Sequence, residues 1–282
     1  MRILFLVLFL VLLSSVSNSA PPKIDEGFKL VWADEFEKDG KPNPKNWIFE
    51  NGFKRNNEAQ WYQEENAYCK DGKLIIEGRK EKKDNPTYKP KSKNWKEKRI
   101  NIEYTSASVI SRGLQSWQYG RFEIKAKIKT EEGLWPAIWF LGVDGEWPSN
   151  GEIDLMEYYN GKILANACWG TKKRWNAKWD SFKKPVISFN DKKWDEKFHI
   201  WRMDWDSDSI KLYVDGLLLN TINVKKTINP TDKGPKNPFR QPHYILLNLA
   251  LGGNNGGSLK KTTFPSKYEI EYVRVYQKEN SK

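Results

Sequence analysis

The sequence predicts an all-β protein, an antiparallel sandwich or barrel, and three observations carry that expectation. Arg121–Ile128 alternates cleanly, with Phe122, Ile124, Ala126 and Ile128 on one side of an extended chain. That is the period of a half-buried strand. Ile210–Val214 runs into Asp215-Gly216 and resumes at Leu217–Asn220, which is the pattern of a hairpin closed by an Asp-Gly turn. No long stretch holds a period of 3.6 residues, so the many short apolar runs between turn residues favour strands over helices.

Further elements follow in chain order. Arg2 precedes an apolar run from Ile3 to Leu13 and a small, polar stretch from Ser14 to Ala20. This is the order of a secretory signal peptide. The run is shorter than the roughly 20 residues a membrane span needs. Residues 1–20 are therefore expected to be removed on export, leaving 21–282 as one secreted domain that is monomeric and free of the membrane. Lys73–Glu77 alternates loosely, and Tyr268–Tyr276 alternates near the C-terminus. No linker or repeat breaks the chain between Leu30 and Tyr276.

The net charge is +12. It admits an acidic partner, yet no nucleic-acid-binding motif accompanies it. The basic residues gather at Lys80–Arg99 and Thr171–Lys184, which read as exposed loops keeping the surface soluble. Cys69 and Cys168 are the two cysteines. Export permits a bridge between them, but spacing does not establish one.

The chemistry centres on Gly151-Glu-Ile-Asp-Leu-Met-Glu-Tyr158. On a strand, Glu152 and Asp154 share a face. Glu157 joins them only if one extra residue is accommodated at Leu155-Met156, a β-bulge of the kind that re-aims side chains beside active sites. Ile153 and one of Leu155 or Met156 would then face the core. Three adjacent carboxylates raise one another's pKa, a cost without purpose on a solvated strand. Glycoside hydrolysis needs such a set: an ionised carboxylate and a protonated acid flanking the bond. With the bulge, the two Glu Cα atoms lie about 13 Å apart along the strand, and inward-leaning side chains can close that to the roughly 5–5.5 Å of a retaining enzyme. Glu152 is read as the nucleophile, Glu157 as the acid and then base, and Asp154 as the group that tunes Glu152. Nearby Trp135, Trp139, Trp147 and Trp169 are candidates for a sugar cleft, because flat aromatic rings suit the C–H face of a sugar.

At these residues the chain resembles glycoside hydrolase family 16, whose bulge-containing branch carries Glu-x-Asp-x-x-Glu. Leu30–Phe36, Asn57–Tyr62, Tyr104–Ala107, Tyr119–Glu123, Trp135–Trp139, Gln241–Asn248 and Tyr272–Tyr276 fall in the order of the family's motifs. The resemblance implies a β-jelly-roll sandwich of two antiparallel sheets with a concave substrate cleft. It also implies a retaining mechanism and a polysaccharide substrate, with no cofactor in catalysis. Within the family the layout is most like laminarinases and endo-β-1,3(4)-glucanases. Asn57, Trp135, Trp139 and Asn248 are implied sugar contacts, with Trp169 a weaker one. Glu58 is implied either to bond sugar or to hold its loop. Glu271 stands where some members bind a structural calcium ion. His199 is read as structural.

Two departures bear on the substrate. Ser108 stands where laminarinases often carry Arg, and Cys168 precedes Trp169 where they often carry His. The sequence from Trp135 to Trp169 holds a single cation, Lys162. An uncharged cleft, and so a neutral β-glucan, is the expectation. A family 16 galactanase acting on agar, porphyran or carrageenan, and a non-catalytic sugar-binding sandwich, are the alternatives.

Overall fold

The structure, a computed structural model, describes residues 27–231 and 234–279. The signal peptide expected at 1–20 lies outside the described residues. The first half of the chain forms β1 (Phe28–Asp34), β2 (Ile48–Phe49), β3 (Gln60–Tyr62), β4 (Ala67–Cys69), β5 (Leu74–Asp84), β6 (Asn101–Ser106), β7 (Ser108–Ile110), β8 (Gly120–Lys127) and β9 (Leu134–Gly142). The second half adds β10 (Glu152–Tyr159), β11 (Lys162–Gly170), β12 (Ala177–Pro185), β13 (His199–Trp205), β14 (Ser209–Val214), β15 (Leu217–Asn223), β16 (His243–Leu251) and β17 (Ser266–Lys278).

These strands make the jelly-roll sandwich. One sheet runs β15-β14-β13-β8-β17-β5-β6-β3, with β1 on β17 and β4 on β5. The other runs β12-β11-β10-β9-β16-β7-β2. Pairing is antiparallel except where β3 runs parallel to β6. Between the sheets lies one core that includes Phe122, Ile124, Phe140, Ile153, Trp201, Leu247 and Val273.

The ten-stranded sheet alternates because only one of its faces is buried. On β8, Phe122, Ile124 and Ala126 point inward. Their neighbours point out and pair across strands: Arg121 with Asp204 at 2.7 Å, Lys125 with Glu271 and Lys127 with Glu269, each at 2.5 Å. The β14–β15 hairpin turns at Asp215 and Gly216, both with positive φ, where glycine's freedom lets the chain match the strands' twist.

The seven-stranded sheet behaves differently. Every residue of β16 is buried, as is all of β11 after Lys162 and all of β9 except Leu141. Strands covered on both faces read as continuous apolar runs rather than as alternation. The outer face of this sheet carries its own apolar patch of Ile110, Ala137, Trp139, Tyr244 and Leu246. That patch is the floor of a cleft.

Two expectations need correcting. Residues 177–185, within a stretch read as an exposed loop, form the edge strand β12. Lysines are common on edge strands because charge discourages pairing with another chain, and here they disguise a strand as a loop. The basic stretch from Lys80 likewise begins inside β5, which runs to Asp84. Cys69 and Cys168 are both buried and unpaired.

Candidate active site

Strand β10, which carries the three acids, departs from regular pairing where the bulge was expected. Against β11 the register shifts between Asp154 and Glu157, and against β9 between Asp154 and Met156. Two residues are thereby taken up in the core, since Leu155 and Met156 are both fully buried there rather than one of them. Glu152, Asp154 and Glu157 emerge on the same face and line one cleft of about 640 Å³.

Each carboxylate has a distinct set of partners. Glu157 Oε1 accepts the indole N–H of Trp135 at 2.8 Å, and its Oε2 accepts from Asn166 Nδ2 at 3.3 Å. Burial, reinforced by the nearby charge of Glu152, still pushes its pKa up to about 7. At neutral pH much of it therefore carries a proton to give. Burial raises Glu152 as well, but three neighbours favour its anion: the Trp147 indole N–H, which it accepts, a hydrogen bond with Asp154, and the positive charge of Arg55. Asp154 sits well above the usual carboxylate range. Its burial comes first among the causes, followed by the charges of Glu157 and Glu152. A protonated Asp154 donates to Glu152, so the middle acid supports the anion beside it.

Cross-strand register shows what surrounds the acids. Asp154 lies between Trp139 on β9 and Asn166 on β11, and Ser181 on β12 follows Asn166. Glu157 lies between Ala137 and Leu164, with Asn248 and Lys183 next outward. Glu152 lies between Leu141 and Cys168, with Tyr244 and Trp179 beyond.

The structure treats the residues implied as sugar contacts unequally. Trp135, Trp139 and Asn248 line the cleft. Trp139 Nε1 donates to Asn248 Oδ1 at 2.7 Å, and Asn248 Nδ2 donates to the Tyr62 hydroxyl at 3.0 Å. The two indoles are nearly covered, at 6% and 9% exposure, so they act mainly through their edges. Trp169 points the other way. It neighbours Cys168 in sequence, and consecutive strand residues face opposite sides, so Trp169 is packed into the core between the sheets. Asn57 is exposed beside the cleft, its Nδ2 on Asn254 Oδ1 at 3.0 Å, and Asn56 takes the lining position. Glu58 is largely buried and accepts from Gln60 at 2.8 Å and from Asn56 at 3.3 Å within its loop, yet it also lines the cleft.

Several cleft residues escaped the sequence reading. Trp179 is one of them; with Trp147, already a candidate from the sequence, it lines the cleft with 45% of its surface free against 38%, which makes these two the indoles open to a sugar. Asn166, Ser181, Tyr159 and Tyr244 also line it. Arg55, Arg112 and Lys183 correct the expectation of an uncharged cleft. All three lie outside the Trp135–Trp169 window, on a loop, just past β7 and on β12, and the fold brings them to the cleft that holds the acids.

Glu271 and His199 sit on the other sheet. Glu271 is paired with Lys125, and among the described residues no three His, Cys, Asp or Glu side chains converge as a metal-binding group. The side chain expected to serve calcium therefore already has a cation. His199 Nδ1 meets Asp215 at 2.6 Å and Nε2 meets the Trp194 carbonyl at 2.8 Å, while its ring stacks on Trp194. Both nitrogens are used in holding the fold.

A jelly roll in which one strand bulges to line up three acids in a cleft is an architecture suited to cleaving carbohydrate. The chain belongs to glycosyl hydrolases family 16, whose model matches residues 79–274. It is 33% identical to the β-glucanase of Rhodothermus marinus, over 89% of this chain and 85% of that protein. It is 29% identical to glucan endo-1,3-beta-glucosidase A1 of Niallia circulans, over 94% of this chain but only 40% of that protein. Among solved structures, the laminarinase catalytic domain of Thermotoga maritima superposes with a TM-score of 0.74 at 31% identity, covering 90% of this chain and 100% of that one. A structure from work on endo-acting O-glycanases, which members of the human gut microbiota express to initiate mucin breakdown, superposes at 0.82 with 33% identity, covering 93% and 95%.

Proposed function

We propose that this glycoside hydrolase is a secreted, monomeric, retaining endo-enzyme that cuts β-1,3-glucan or mixed-linkage β-1,3-1,4-glucan. The observation that carries the reading is the division of labour on β10. Burial raises both glutamates, Glu157 to about 7, but hydrogen bonds from Trp147 and Asp154 and the charge of Arg55 pull Glu152, a bulge away, back toward its anion. In the first step Glu152 attacks the anomeric carbon as Glu157 protonates the departing oxygen, giving a covalent glycosyl-enzyme. In the second, Glu157 takes a proton from water as it attacks that carbon, and Glu152 leaves. Asp154 donates to Glu152 when the latter is an anion, and Trp135 and Asn166 orient Glu157. The similarity to the Rhodothermus β-glucanase and the Thermotoga laminarinase supports β-glucan as substrate, and the order of residues 1–20 supports secretion.

A β-galactoside-containing glycan is the second reading. The higher superposition on the structure from the mucin O-glycanase work and the cleft cations Arg55, Arg112 and Lys183 favour it. A substrate panel decides between them: laminarin, barley mixed-linkage glucan, lichenan, agarose, porphyran, carrageenan and mucin O-glycans, with products sized. Fastest hydrolysis of a glucan supports the first reading. Fastest hydrolysis of a galactose-containing glycan, especially one suppressed by salt, replaces it with the second.

A further inference from the structure

Arg55 occupies an unusual place in the cleft. Its guanidinium carbon lies 5.0 Å from the centroid of the Trp139 ring, which it covers. Glu50 accepts from Arg55 Nη2, and the same Glu50 oxygen accepts from the Ser108 hydroxyl at 2.7 Å. Glu50, Arg55 and Trp139 all line the cleft. Arg55 Nη1 is buried with no acceptor among the described residues. Glu58 and Tyr62 face the guanidinium from the neighbouring loop and strand, and Glu152 feels its charge from β10.

Three consequences follow. The face of Trp139 that Arg55 covers is closed to a stacking sugar, because the guanidinium occupies it. A guanidinium with five N–H groups and one carboxylate partner has donors left over, and a buried donor without an acceptor is costly until a ligand supplies one. Ser108 also matters: it donates to the same Glu50 oxygen that accepts from Arg55, and so helps to hold the carboxylate that holds the guanidinium. Ser108 brings no charge of its own, and a cation reaches the cleft from residue 55.

We propose that Arg55 is the specificity-determining residue of the wing of the cleft over β9, β16 and β7, where its N–H groups, aimed by Glu50 and Ser108, bind oxygen atoms of the hexose seated there in place of aromatic stacking. The inference rests on the reading of the cleft as a β-glycan-cleaving site. It adds that recognition on this wing runs through a cation, so sugars are chosen by the placement of their acceptor oxygens. Such recognition is directional, whereas stacking tolerates any ring with a flat apolar face.

The test uses the whole mature chain and the polymer on which the wild type is fastest. Arg55→Met should lower kcat/KM by about 10- to 100-fold, the range for a lost hydrogen bond to a charged group, with most of the change in KM. It should also move the acid limb of the kcat/KM–pH profile upward, because Glu152 loses a favourable charge. Arg55→Lys should restore the acid limb but only part of KM, since an ammonium lacks the planar fork. Glu50→Gln retains the guanidinium but not its anchor, and should raise KM by a smaller factor. Met and Gln variants that are folded by circular dichroism yet keep wild-type kcat/KM and the wild-type acid limb would overturn the proposal. If Arg55→Met does not fold, the Gln variant decides alone. A wild-type chain inactive on every β-glycan would instead sink the proposed function, so the two failures are distinguishable.

Discussion

Replacing Glu157 with Gln should make the protein inactive and, above neutral pH, more stable. Glutamine keeps the shape and can still accept the Trp135 N–H seen at 2.8 Å. It removes a carboxyl whose pKa is raised from 4.5 to about 7 by burial and by Glu152. Because the folded value lies above the unfolded one, the native state holds this proton more tightly. Its contribution to stability is fully present below about pH 4.5 and is lost as pH rises through about 7. A shift of about 2.5 units at about 1.36 kcal/mol each amounts to roughly 3 kcal/mol over the full range. Between about pH 5 and about pH 8 most of that contribution is lost, about 2–3 kcal/mol. Gln does not titrate, so urea unfolding of the two proteins should show Glu157→Gln gaining by about that amount between these pH values. Asp154 and Glu152 relax when their neighbour loses its charge, which adds to the gain. A pH-independent difference in stability between the two proteins would refute the claim that Glu157 is held protonated by its surroundings. Near-native activity of the variant would refute its role as acid.

Other outcomes follow from the same geometry. Glu152→Gln should abolish turnover without loss of fold, since the amide cannot attack as an anion; near-native activity in pure protein removes Glu152 as nucleophile. Glu157→Ala should lose polysaccharide activity but regain part of it on an aryl glycoside with azide, with glycosyl azide seen by mass spectrometry; no rescue counts against Glu157 as acid and base. Early NMR of a β-glucan digest should show the β-anomer first, and an initial α-product would mean inversion. His199→Ala should cost about 1–3 kcal/mol through two lost hydrogen bonds. His199 is raised by its contacts with Asp215 and the Trp194 carbonyl, against an opposing burial effect that is the largest single cause. The cost should therefore be greatest below about pH 6.5 and shrink as pH rises through the folded value; a cost that grows with pH would refute the assignment.

Legibility in the sequence followed burial. Strands β8, β14 and β17 sit in the sheet with one solvated face, so polar and apolar residues alternate and the period of two is plain. Strands β9, β11 and β16 are covered by the core on one side and form the cleft floor on the other. Their apolar runs have no period, and the sheet that carries the site was the harder one to read as strands. Acid spacing compensated on β10, because only a bulge puts Glu157 with Glu152 and Asp154. Nearness in sequence misled at Trp169, where parity would have corrected it: Cys168 is the register partner of Glu152, and Trp169, one residue on, lies on the core side.

Charge was the least legible feature, for a reason that bears on specificity. A linear window around the acids holds one lysine, but a sheet assembles its face from strands far apart in sequence. Ser108 and Asn248 are register partners on β7 and β16, and Asn248 in turn pairs with Ala137 beside the acids. Glu50, bonded to Ser108, carries Arg55 to the ring of Trp139. From the opposite edge, Lys183 reaches the row of Glu157 through Leu164. The acids are therefore flanked by cations on both wings, one clamped by a carboxylate and one on an exposed edge strand. A clamped guanidinium reads the position of an oxygen, while an exposed lysine mostly raises the local concentration of anions and is screened by salt. If both matter, salt should weaken any Lys183-dependent binding while leaving the Arg55-dependent part of KM in place. Lys183→Gln should then abolish the salt dependence of KM, and salt dependence that survives in Lys183→Gln but vanishes in Arg55→Met would reverse the two assignments.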